Sequence, residues 1–208
     1  MRKAILKLFA IMLALMLFGA CAGVNKSEST PESTGTLEIY NSKKDFIYVG
    51  ITMQQADALF GEVIEENIKE DLDWGGNHYP GDTLHKYKGV WCKFQKTGEQ
   101  QDMLLTSMTV FSPDYAPVRG IKVGDSIDSV LAKFPNENQE MMTNEYGENY
   151  KFIYGAPETD RPYGKIEYEE GLPVSINFSD SSEECGVFAL QLDSNLCVSS
   201  IFISYAYR

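Results

Sequence analysis

GITMQQADALFG at residues 50–61 and GDSIDSVLAKFP at residues 124–135 follow one pattern, 74 positions apart. Each stretch opens on a turn glycine, and two residues later Thr52 or Ser126 is placed to cap a helix. Apolar side chains then recur at Met53/Ile127, Ala56/Val130 and Phe60/Phe134, the i, i+3, i+7 stripe of a helix with one buried face. Gln55 stands three residues after Thr52 and completes a capping box, whereas Ser129 is a poorer partner for Ser126. Gly61 and Pro135 stop both predicted helices after about two and a half turns.

A second pair of related stretches lies downstream. LTSMTVFS at 105–112 matches VSSIFISY at 198–205, now 93 positions apart. Both are β-branched and aromatic with alternating polarity, and each is predicted to be the last strand of its unit. The larger offset implies an insertion in the second copy, which Pro173–Leu192 supplies as a longer hairpin. Leu84–Phe94 and Lys165–Tyr168 are predicted as further strands between helix and last strand. The expected fold is therefore α+β, with two tandem repeats, each a short capped helix packed on an antiparallel sheet. The units run 37–113 and 114–208, and each is small enough to need the other for a core.

The flanking sequence concerns location. Arg2, Lys3 and Lys7 precede an apolar run, Leu8–Ala20, which as a helix spans roughly 20 Å against a hydrocarbon core of ~30 Å. Residues 1–20 are accordingly predicted to be an export signal rather than a permanent membrane span. The run ends Leu17-Phe18-Gly19-Ala20-Cys21, which resembles a bacterial lipobox, with Phe18 where leucine is more usual. The resemblance implies cleavage before Cys21, acylation of its thiol (palmitate among the chains), and a lipid anchor on the extracytoplasmic face of the cell membrane. Residues 21–36 are rich in Ser, Thr, Glu, Gly and Pro and are predicted to be a flexible lipidated tether.

Composition narrows the partners. The 208 residues carry 18 basic and 30 acidic side chains, a net charge of −12, with 43% hydrophobic and 12% aromatic residues. Three of the bases lie in the leader, leaving 15 against 30 acids, or −15, for the remainder. Such a surface repels phosphate backbones, so nucleic acid is not an expected partner. Two histidines in the whole chain restrict metal and acid–base chemistry.

Taken together, an exported chain, tandem α-then-β units and the Gly-x-[ST]-x₃-[AV]-x₃-Phe helix start resemble the β-lactamase-inhibitor-protein family of small envelope proteins. That resemblance implies a protein-binding role, inhibitor-like or adaptor-like, through an open sheet face or its edge loops. It implies no particular contact residues in this chain and no β-lactamase as target.

The residues themselves single out few chemical groups. His78 and His85 fall in one region, and no Gly-x-Ser-x-Gly elbow or phosphate-binding glycine loop occurs. Cys92 in VWCKF reads as a buried or disulfide-bonded strand residue. After lipidation of Cys21 three cysteines remain, so at most one disulfide forms. The turn at Asp193-Ser194-Asn195 sets Cys197 opposite about Gln191 and leaves Cys185 several residues too far along for a direct cross-strand bond. Cys92–Cys197 and three free thiols stay open. Asp71–Asp82 echoes a calcium loop at positions 1, 3, 6 and 12, but Gly75 removes a ligand and Asp82 is short for a bidentate glutamate. No catalytic residue, cofactor or metal is assigned. Trp74, His78 and Tyr79 in the first unit, and Tyr146, Tyr150 and Tyr154 in the second, are the expected contacts to an envelope or secreted protein, because amphipathic aromatics on loops suit interfaces. A small envelope hydrolase using Asp/Glu chemistry, or a sensory or solute-binding lipoprotein, is the alternative.

Overall fold

The computed structural model describes residues 37–38, 40–68, 81–97, 102–135, 140–155, 162–180 and 186–205. The leader, Cys21, the tether to residue 36, and Trp74, His78 and Tyr79 lie outside the described residues. In chain order the elements are α1 (Ser42–Asp45), α2 (Met53–Phe60), β1 (Glu65–Ile68), β2 (Thr83–Tyr87), β3 (Val90–Lys96), β4 (Met103–Val110), α3 (Ile127–Leu131), β5 (Met141–Thr143), β6 (Asn149–Tyr154), β7 (Tyr163–Glu169), β8 (Leu172–Ser179), β9 (Gly186–Leu192) and β10 (Val198–Tyr205).

This architecture corrects the expected fold class. The ten strands form a single antiparallel sheet in the order β1-β2-β3-β4-β10-β9-β8-β7-β6-β5, and the helices have only 4, 8 and 5 residues. The chain is mainly β, not an α+β pair of helix-capped repeats. The reason lies in the two strands predicted to end each unit. β4 and β10 pair with each other, Val110 opposite Ile201 and Ser107 opposite Ser204, so neither is left as an edge with unpaired backbone groups. Leu84–Phe94 is not one strand but the hairpin of β2 and β3, and Pro173–Leu192 spans β8 and β9.

The helix starts nonetheless form as their sequences dictate. The Thr52 side chain accepts from the Gln55 N–H while the Thr52 N–H donates to the Gln55 side chain, and the Ser126 hydroxyl accepts from the Ser129 N–H. Each start is bonded to the head of a strand by the same pair of contacts. Gly50 N–H donates to Leu105 (2.9 Å) and Leu105 N–H to Ile51 (2.8 Å); Gly124 N–H donates to Val198 (2.7 Å) and Val198 N–H to Asp125 (2.8 Å).

One face of the sheet is buried beneath these helices and loops. Successive strands place Tyr87, Val90, Val110, Ile201, Leu190, Ile176 and Ile166 in one cross-strand row, all essentially inaccessible. The next row runs through His85, Cys92, Met108, Ile203, Phe188, Phe178 and Gly164 to Tyr154. Phe134, following α3, stacks on Phe178 with ring centroids 4.2 Å apart, and Phe178 stacks on Phe188 at the same separation. The Arg119 guanidinium covers the outer side of Phe134 at 4.7 Å and also pairs with Asp45 at 2.8 Å, tying α1 to the loop before α3. Phe60 of α2 meets Tyr48, Tyr87 and Tyr115 within 5.3–5.4 Å.

Candidate functional site on the outer sheet face

The opposite face carries no helix among the described residues. Strand alternation sets Glu65, Lys86, Trp91, Thr109, Phe202, Ala189, Asn177, Lys165 and Phe152 in one row across nine strands. A second row runs Lys93, Ser107, Ser204, Val187, Ser179, Tyr163, and a third contains Gln191, Ser175, Glu167, Tyr150 and Met142. The face is thus a mixture of hydroxyls and aromatic rings, with few plain aliphatic side chains. Trp91 packs edge-on against Phe111 at 5.0 Å with the Lys86 ammonium over its ring. Tyr150, Phe152 and Tyr163 form a second aromatic group, with centroids 5.5 and 6.2 Å apart.

Around Tyr150 the polar groups are tightly organised. Lys165 Nζ pairs with Glu167 Oε1 at 2.7 Å and lies 5.6 Å from the Tyr150 ring centre. The Ser175 hydroxyl donates to Glu167 Oε2 at 2.6 Å and accepts from the Asn177 amide at 3.0 Å. Burial by itself raises the Glu167 carboxyl, but the hydrogen bonds from Lys165 and Ser175 outweigh it and hold the group below the ordinary glutamate range. A shallow cleft of about 120 Å³ opens here, lined by Tyr150, Lys165, Glu167 and the turn residues Asn144, Glu148 and Glu169 among others.

The structure separates the three expected tyrosines. Tyr146 stands on the β5–β6 turn and is 80% exposed; Tyr150 is half-buried on the outer face; Tyr154 is buried on the core face. A bulge between Phe152 and Tyr154 causes this division, because one extra residue in β6 turns Tyr154 to the other side. There its hydroxyl accepts the Tyr40 N–H at 3.0 Å, and burial pushes that hydroxyl far above its usual pKa.

The chemically suggestive groups elsewhere have structural partners. His85 and Cys92 stand directly opposite one another in β2 and β3, but both face the core. His85 Nδ1 lies 3.2 Å from the Tyr87 hydroxyl, which donates to Asp57 at 2.7 Å; burial pushes the Cys92 thiol far up, away from the thiolate a nucleophile requires. His85 Nε2 has no hydrogen-bond partner and faces Glu66 at 3.5 Å. Of the calcium-like stretch, Asp82 is described, and its carboxylate pairs with Lys93 at 2.9 Å and accepts from Gln95 at 2.8 Å. No three His, Cys, Asp or Glu side chains group around a cation position among the described residues. Cys92 and Cys197 are free thiols.

Lys165, Glu167, Ser175 and Phe202 were not among the residues the sequence singled out. The signal for the first two was present: YGKIEYE at 163–169 alternates Tyr, Lys and Glu with Gly, Ile and Tyr, the mark of a strand with one wet face. Comparison with protein families, curated proteins and solved structures finds no match to this chain.

Proposed function

We propose that the chain is a lipid-anchored protein of the extracytoplasmic membrane face that acts by binding a protein partner across the outer face of its sheet. The observation that carries this reading is the character of that face, in which rings from β3, β6, β7 and β10, with Phe111 beside Trp91, stand among hydroxyls. Tyr, Trp and Phe set among small polar side chains supply area for burial and donors for register, which is what a protein contact needs. The cleft at Tyr150, about 120 Å³, is smaller than the ~300–1,000 Å³ of a typical small-ligand pocket. The lipobox supports the location, since anchoring through Cys21 keeps such a face beside the membrane while the acidic surface is repelled from anionic lipid.

Two measurements in intact cells test the two halves. Metabolic palmitate labelling is expected on the wild-type chain and absent from Cys21→Ser; labelling that survives the substitution overturns the anchor. Photo-crosslinking residues placed at Val187 and Phe202, on the outer face, are expected to give one shared protein adduct. The same probe at Glu62 or Asp128, on the helix side, is expected to give none. No adduct from the outer face, or equal adducts from both sides, overturns the binding reading.

A further inference from the structure

Antiparallel pairing sets Asn149 opposite Tyr168 and Met142 opposite Tyr150, so the β5–β6 and β7–β8 turns meet at one corner of the sheet. Ten large apolar side chains are exposed among the described residues, and Met142, Tyr146 and Leu172 at this corner are three of them, at 39, 80 and 64%. Such a concentration marks a contact surface better than the same residues scattered singly. The two turns also carry Glu145, Glu148, Glu169 and Glu170, and no Lys or Arg occurs in 140–150 or 166–174. Lys165, the one base lining the cleft between the turns, is held by Glu167.

We infer that this corner docks a cationic amphipathic segment of a protein partner. Apolar side chains of the segment cover Met142, Tyr146 and Leu172, and one Lys or Arg head group enters the cleft beside Glu148 and Glu169. Charge complementarity selects the occupant: burial of the apolar side chains supplies affinity to any amphipathic chain, whereas the carboxylates reject acidic ones and anionic lipid headgroups. The cleft volume of about 120 Å³ gives room for one side-chain head group and lies below the ~300–1,000 Å³ of typical small-ligand pockets. The Lys165 ammonium, seated between Glu167 and the Tyr150 ring, shows how this chemistry holds a cation.

This inference rests on the protein-binding reading above and specifies the partner's chemistry. The test uses the full lipidated chain in zwitterionic nanodiscs, with empty discs subtracted, and two labelled peptides of one leucine pattern, the first carrying lysines and the second glutamates. The lysine peptide is expected to bind saturably, with affinity falling on the order of tenfold in Glu148→Gln/Glu169→Gln and again in Tyr146→Ser/Leu172→Ser. Glu62→Gln/Asp128→Asn removes the same charge from the other side and is expected to leave binding unchanged. An equal loss from the remote pair, or equal binding of the glutamate peptide, overturns the inference. Crosslinking from Phe202 distinguishes the two readings. An adduct that persists undiminished in Glu148→Gln/Glu169→Gln sinks the docking corner and leaves the binding function standing, whereas absence of any adduct sinks the function itself.

Discussion

Asp180 accepts two hydrogen bonds from Ser42, one from its backbone N–H at 3.0 Å and one from its hydroxyl at 2.8 Å, across 138 positions of chain. Both residues are buried, so the carboxylate fixes the N-terminus of α1 against the end of β8. Gly186 of β9 lies beneath this contact, and a Cβ there would collide with the Ser42 side chain. Asp180→Ala is expected to cost about 1–3 kcal/mol by leaving two buried donors without their acceptor. Gly186→Ala is expected to cost a similar ~1–3 kcal/mol by overpacking. Because both unseat Ser42, denaturant titration of the double variant should give less than the sum of the single effects.

Lys93 and Asp82 form an ion pair whose side chains are 10% and 4% exposed. Lys93→Met removes the cation paired with the buried Asp82 carboxylate, and a loss of about 3–5 kcal/mol is expected. Lys93→Met/Asp82→Asn removes the charge but keeps an acceptor for the Gln95 amide. Chemical denaturation should show the double variant recovering more than half of the single variant's loss.

Two thiols in contrasting surroundings predict a kinetic separation. In a Cys21→Ser/Cys185→Ser background, the half-exposed Cys197 should react with an aromatic disulfide reagent at pH 8, whereas Cys92, buried and with its thiol pushed up, should react only once denaturant opens the core. Counting released chromophore with time, before and after denaturant, checks both.

Acid titration tests the cluster at the cleft. Glu167 has its folded pKa held below the unfolded value of ~4.3, so its contribution is present above that pH and is lost as pH falls through the lower folded value. Stability should therefore decline on acidification below ~4.3. Lys165→Met and Ser175→Ala, which remove donors to this carboxylate, should each flatten that decline; identical acid profiles in all three proteins would mean the cluster is too solvated to matter.

What the sequence made legible was local. Thr52 with Gln55, and Ser126 with Ser129, act within one helical turn, and both caps formed where their residue types placed them. Val198–Tyr205 was legible as a strand because its composition and alternation suffice. The union of β4 with β10 was not, since the residues predicting each strand say nothing about which distant strand it pairs with. Two short helical stripes suggest two units, whereas the β4–β10 pairing joins all ten strands in one sheet. The tyrosines illustrate the same limit at the site. Tyr150 and Tyr154 are four apart and in an unbroken strand would share a face; a one-residue bulge, invisible in composition, sends them to opposite sides.

The pairing of β4 with β10 also dictates an order of events. The strand that completes the middle of the sheet, β10, lies far downstream of β4 in the chain, so one edge of β4 stays bare until β10 has been made. Contacts of such long sequence separation form slowly, because the closure entropy of the intervening chain comes before any contact energy. The first half must wait with that edge uncovered, and loss of the last eight-residue strand would reopen the sheet at its centre rather than trim its rim.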